Sequence, residues 1–276
     1  MSRINKTFGL LIAAGLALVG AALPHPAKAQ TAPEISRVAG GPPSSAIFIG
    51  NSFFYYNNGI GGHVTQLVAA GDPGTRFRNT LVTISGSGAD WHDVASYFRP
   101  NAIARYSFDA GNNIVFNRFN KLFDIAIVMD CSQCPIHPEL GAVFTDYARR
   151  NSETLRQNGA EPVFFMSWAY ADKPDMTAQL AEAYTRAGNA NRALVIPAGL
   201  AFARAIAQRP DINLYIADKR HPSLAGTYLA AATIYAALFN RSPAGFAYTA
   251  GLDPAVAAFL QTIAWETVQA YYRKGA

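Results

Sequence analysis

The chain predicts an α/β fold, a three-layer α/β/α sandwich on a mostly parallel sheet, and three observations predict it. Short continuous apolar runs recur along the sequence, amphipathic helical segments alternate with them, and turn residues punctuate the alternation. Apolar runs without an in/out alternation suit strands covered on both faces, the environment of a parallel sheet. In such sheets the ligand crevice lies beyond the carboxyl ends of the strands, so residues that directly follow strands have priority as site residues.

The first strand falls at residues 45–50, a short apolar run ending in Gly50, and a helix follows at 58–70. A second β-rich run, 81–85, is ended by Gly86 and Gly88, with a short helix from Asp90. Residues 99–121 are polar, Asn-rich and aromatic, and read as an inserted loop or hairpin. The clearest strand is 124–129; the helix after it, 139–158, stops at Asn158-Gly159, a C-cap signal. The alternation continues with a strand at 162–166, a helix at 176–187, a strand at 193–196 and a helix at 200–208. Two further helices, 223–239 and 254–272, close the sequence.

Ahead of the first strand, Arg3 and Lys6 precede an apolar stretch, residues 8–23, and Ala27-Lys28-Ala29 follows. A positive segment, an apolar segment and a small-x-small site together read as a secretory signal peptide, residues 1–29. Pro24 and Pro26 end the apolar run, which argues against a retained anchor, and no Cys follows it for lipid attachment. Residues 30–44 are Pro/Gly/Ala-rich without periodicity and read as a flexible leader, and 45–276 as one domain. The expected location is outside the cytoplasm, periplasmic or extracellular, with no stable membrane anchor after processing.

Removing that segment leaves 20 basic against 18 acidic residues, so the high isoelectric point belongs largely to the discarded part. No basic run remains, and nothing argues for nucleic acid as a partner. Cys131 and Cys134 are the chain's two cysteines. A short-loop disulfide, two free thiols, and a redox or metal role are the three readings; export favours the disulfide. Zinc would need two more ligands than the pair supplies.

Ser52 directly follows the first strand, where free backbone N–H groups and a helix start are expected beside its hydroxyl. Helix capping is the plainer role for such a Ser. Asp218-Lys-Arg-His221-Pro222-Ser223 changes the weighting: an Asp three residues before a His in a turn can accept from its Nδ1–H, leaving Nε2 to take a proton from a Ser. Ser223 suits the cap of the next helix.

With these residues in view, the sequence resembles the SGNH (GDSL-like) hydrolases. Gly50-Asn51-Ser52 matches their first block in a G-N-S variant, Ser85-Gly86 the second, and Asp218-x-x-His221-Pro-Ser the last. The resemblance implies a flavodoxin-like sheet, a Ser52, His221, Asp218 relay, and an oxyanion hole made by the amides of Ser52 and Gly86 with a side-chain amide from a third block. That third block departs: the family's G-x-N-D is replaced by Asp130-Cys131-Ser132-Gln133, which puts Ser132 at the Asn position and leaves Gln133 as the nearest amide. Asn51, Trp91 and His92 are expected to line the substrate pocket, and no metal or other cofactor is called for. His63, inside a helix, and His137, after the cysteines, rank lower.

The expectation is an exported ester hydrolase for a small-molecule or carbohydrate O-acyl ester. Its alternatives are a carbohydrate-binding protein on the same fold with weakened or lost catalysis, and a thiol oxidoreductase using the Cys pair.

Overall fold

A computed structural model describes residues 31–99 and 103–273. The segment read as a signal peptide lies outside them. Five strands form one sheet: β1 (Ser45–Gly50), β2 (Arg78–Thr83), β5 (Ile125–Val128), β6 (Glu161–Phe165) and β7 (Leu194–Ile196). Their order is β2-β1-β5-β6-β7 and every pairing is parallel, the flavodoxin-like order with its switch point between β1 and β5. The three-layer α/β/α expectation is borne out.

The second strand begins at Arg78, three residues before the expected start, and ends at Thr83 rather than Ser85. It is an edge strand, half-buried throughout, so its first residues, Arg78-Asn79-Thr80, need not be apolar and a search for apolar runs passes over them. β1 and β5, at the centre, are buried at every position.

The segment after β1 is divided. α1 (Ser52–Tyr55) is a single turn, Asn57 and Asn58 take left-handed backbone, and α2 (Ile60–Gly71) follows. Helices α3 (Leu140–Gln157) and α4 (Met176–Ala190) pack on β6, while α5 (Ala198–Gln208), α6 (Leu224–Phe239) and α7 (Pro254–Arg273) pack on one another, with α2 against α6. α6 is apolar all round and buried from Ala225 to Leu238, because α2, α5 and α7 enclose it. Ser223 caps it, accepting from the Gly226 amide at 3.2 Å.

Residues 99–121 include the expected hairpin: β3 (Tyr106–Phe108) pairs antiparallel with β4 (Ile114–Phe116). Residues 31–44, expected to be flexible, are instead held against the fold. Glu182 accepts from the amide and hydroxyl of Thr31, Glu161 from the Ala39 amide, and Asp124 from the amide and hydroxyl of Ser44. Those carboxylates lie 80 or more residues away in sequence, so composition alone gives no sign of them. Among the described residues, no helix is long and apolar enough to cross a membrane.

Candidate active site

Ser52 begins α1 directly beyond the carboxyl end of β1, at the switch point of the sheet. It is not the cap. Asn51 is: its Oδ1 accepts from the Phe53 amide at 3.2 Å, which frees the Ser52 hydroxyl for another partner. That partner is His221, whose Nε2 lies 2.8 Å from Ser52 Oγ. On the other side of the ring, Nδ1 is 2.5 Å from Asp218 Oδ2. Ser52 is nearly enclosed, while the Asp218 side chain is 40% exposed, so the chain of hydrogen bonds runs outward from the crevice to the surface.

The His221 turn is held from several sides. Asp218 Oδ1 accepts from the amides of Arg220 and His221, both at 2.9 Å, and Lys219 adopts left-handed backbone at φ +65° to permit this. Partial burial works to raise the Asp218 carboxyl, but the His221 ring and these two amides outweigh it and hold it at about 2. Trp168 donates Nε1–H to the Arg220 carbonyl at 2.9 Å, and its ring is stacked between Phe53 and Phe202. The imidazole stacks on Tyr56 at 4.4 Å between centroids and meets Phe53 edge-on. Asn57 donates to the Pro222 carbonyl and to Thr227 Oγ1, fastening the loop after α1 to the same turn.

Gly86 has φ +71°, a backbone suited to glycine, in the loop after β2. Among the described residues neither the Gly86 nor the Ser52 amide donates to a protein acceptor, so both N–H groups are free for a ligand. α1 is one turn long, so the dipole expected behind Ser52 is small, and the free amides are the larger effect. In the loop after β5, Ser132 Oγ is 2.6 Å from Tyr170 OH, and Gln133 Nε2 sits 3.9 Å from Met176 Sδ, a weak acceptor.

Two of the three residues expected to line the pocket are structural instead. Asn51 is buried; its Nδ2 donates to the carbonyls of Ser87 at 3.0 Å and Asp130 at 3.2 Å, and with the cap its side chain is fully committed. His92 is also buried: Nε2 donates to the Gly50 carbonyl at 3.1 Å, and Nδ1 accepts from Tyr97 OH at 2.9 Å. Burial lowers its pKa against the pull of the Gly50 carbonyl, so the ring is a neutral brace beneath β1. Trp91, by contrast, is 61% exposed. His63 is a packed helix residue between Asn57 and Tyr248, and His137 accepts from the Glu139 and Leu140 amides at the start of α3.

Cys131 and Cys134 form a disulfide, with Cα atoms 5.2 Å apart. Asp130 lies beside them, but both sulfurs are spent on each other, so this trio offers no thiolate pair to a metal. Asp130, which the sequence presents only as part of the departing third block, has a structural place of its own. It is buried, and Oδ1 accepts from the amides of Ala89 at 3.1 Å and Cys131 at 2.6 Å. Burial dominates, raising the carboxyl to about 6 even though both amides pull it down. Trp168 and Tyr170 were passed over. They follow β6, at the carboxyl end of a strand, and that rule alone would have found them.

No protein-family model matches the chain, and no curated protein does. Solved structures do. A DUF4886 family protein from Bacteroides uniformis superposes with a TM-score of 0.58 at 20% identity, covering 82% of this chain and 94% of that one. A protein from Slackia heliotrinireducens, provisionally described as an SGNH hydrolase, gives 0.50 at 21% identity over 70% and 97%. A variant of Axe2, an acetyl xylan esterase from Geobacillus stearothermophilus, gives 0.51 at 16% identity over 73% and 99%. The likeness read from three short sequence blocks thus extends to the whole architecture, and the chain has the fold of the SGNH hydrolases.

Proposed function

We propose that this protein is an exported serine ester hydrolase in which Ser52, His221 and Asp218 form the relay. The observation that carries the reading is the continuous hydrogen-bond path from Ser52 Oγ through both ring nitrogens of His221 to Asp218. With Asp218 ionised, Nδ1 keeps its proton and Nε2 is the basic nitrogen facing the hydroxyl. As Ser52 Oγ attacks an acyl carbonyl, Nε2 takes its proton, and the imidazolium is stabilised by Asp218 on one side and Tyr56 on the other. Nε2 then delivers the proton to the departing alcohol, leaving an acyl-Ser52 ester. Water, activated by the same nitrogen, hydrolyses it.

The oxyanion rests on the amides of Ser52 and Gly86 in this scheme. The side chains of Ser132 and Gln133 have partners elsewhere and contribute little. The same observation favours the second reading, a carbohydrate-binding protein with weakened catalysis, since one missing donor costs about 3 kcal/mol of transition-state stabilisation. Acetyl esters of carbohydrates are the first substrates to try, given the acetyl xylan esterase among the structural neighbours.

The decisive experiment is a panel of acyl esters with wild type and Ser52→Ala side by side, with labelling by a serine-directed phosphonate. Turnover and labelling in the wild type alone support the relay. Turnover retained in Ser52→Ala rejects it, and ligand binding without turnover or labelling supports the binding protein.

A further inference from the structure

The β3–β4 hairpin carries a surface that the ester-hydrolase reading does not use. Its register pairs Tyr106 with Phe116 and Phe108 with Ile114, which places all four side chains on one face. Each is 50–65% exposed, and none joins the hydrophobic core. Ser107, hydrogen-bonded to Asn117, and the exposed Val115 lie on the opposite face. A sheet face of four large apolar side chains left open to water marks a docking surface.

Two residues after β4 the chain reaches Arg118, which with Arg76, Arg78 and Lys121 borders a basic cleft of about 640 Å³. Its one acidic border residue, Asp124, is already engaged by Ser44, Ser45 and Lys121. Arg78 stacks its guanidinium over Phe119 at 3.9 Å and donates Nη2 to the Leu122 carbonyl, yet its Nη1 is buried without a partner. Three arginines, beside a carboxylate that Lys121 already neutralises, fit a phosphate group.

We propose that the hairpin and this cleft dock the protein on an anionic lipid bilayer, the apolar face entering the headgroup region and the cleft taking lipid phosphates. The charge complementarity selects this occupant. Two Phe, an Ile and a Tyr beside a cluster of arginines is the composition of an interfacial element. The cleft lies at the amino ends of the strands, beside Ser45 and Arg78, and Ser52 lies at the carboxyl ends. Docking therefore leaves the Ser52 crevice away from the bilayer.

The test is co-sedimentation of the purified full chain with vesicles of phosphatidylcholine alone or mixed equally with phosphatidylglycerol. Wild type, Phe108→Ser/Phe116→Ser and Arg118→Glu/Lys121→Glu are compared, with hydrogen exchange of residues 104–118 measured on the wild type. All three share the apolar stretch at residues 8–23, so differences between them report the hairpin and cleft. Wild type is expected to bind the anionic vesicles at least about tenfold better than the neutral ones, with loss in both variants and reversal by salt. Amides of 104–118 should gain protection with anionic vesicles only. Binding that the substitutions leave unchanged, or a substitution-sensitive binding equal on both vesicles, overturns the proposal. So does hairpin-dependent dimerisation without lipid, which assigns the face to a second copy, or hairpin-dependent retention on insoluble polysaccharide, which assigns it to carbohydrate. Should the variants fold poorly, absence of lipid-induced protection in the wild type overturns it independently.

Discussion

Asn51 Nδ2 donates to the Asp130 carbonyl at 3.2 Å, tying the residue before Ser52 to the loop that follows the central strand β5. The same amide holds the Ser87 carbonyl, so one side chain gathers the loops after β1, β2 and β5. Asn51→Ala removes a helix cap and leaves two buried carbonyls unsatisfied, a loss of about 2–4 kcal/mol in stability. Chemical denaturation measures it. Asn51→Asp keeps the cap but sets a buried carboxylate oxygen against the two carbonyl oxygens, and should be no more stable than alanine.

The relay should behave as one unit. His221→Ala and Asp218→Ala are each expected to lower kcat by about 10³-fold or more, and the double variant should be little worse than His221→Ala. Steady-state kinetics on one chromogenic ester checks this. Losses that simply multiply would place Asp218 outside the relay.

Asp130 should make stability depend on pH in an unusual direction. Its carboxyl is raised to about 6 in the fold and returns to the ordinary carboxylate range on unfolding. The folded state therefore binds the proton more tightly, and stability declines as pH rises from about 4 to 6, by ~3 kcal/mol as an upper estimate. Asp130→Asn keeps an oxygen for the Ala89 and Cys131 amides and should flatten that slope in thermal melts. An unchanged slope would assign the dependence to another group.

Ser132→Ala and Gln133→Ala are each expected to stay within about fivefold of the wild-type kcat, since the two backbone amides carry the oxyanion. A fall of about 10²-fold for Gln133→Ala would show that its amide leaves Met176 and turns to the substrate.

Alkylation of the native protein without reductant should label neither Cys131 nor Cys134, and both should react after reduction. Mass spectrometry reads the difference directly.

What was legible in the sequence follows from range. Strands buried on both faces announce themselves as apolar runs, so β1, β5, β6 and β7 were found within one or two residues, whereas the edge strand β2 was misplaced because half its environment is water. Ser52 and the Asp218–His221 turn stood out because their chemistry is local: a Ser at a strand end, and an acid three residues from a His. Asn51 and His92 were assigned to the pocket because sequence proximity to a site says nothing about side-chain direction. Both point inward, onto carbonyls that must be satisfied once buried. Asp130 has no role readable in the sequence because its partner Ala89 lies 41 residues away, whereas Trp168, just beyond β6, is within reach of the strand-end rule.

The hydrogen bond between Ser52 and His221 spans 169 residues of chain. The hydroxyl is made before its partner, with most of the sheet between them, so no partially synthesised chain that stops short of His221 holds both groups. An amino-terminal fragment can contain the nucleophile and remain inert. The pair also forms only once α6 is seated under Ser223, which makes the reactivity of Ser52 a reporter of global folding rather than of its own neighbourhood. In a denaturant titration, phosphonate labelling of Ser52 should disappear together with the far-ultraviolet signal of the helices, in one transition.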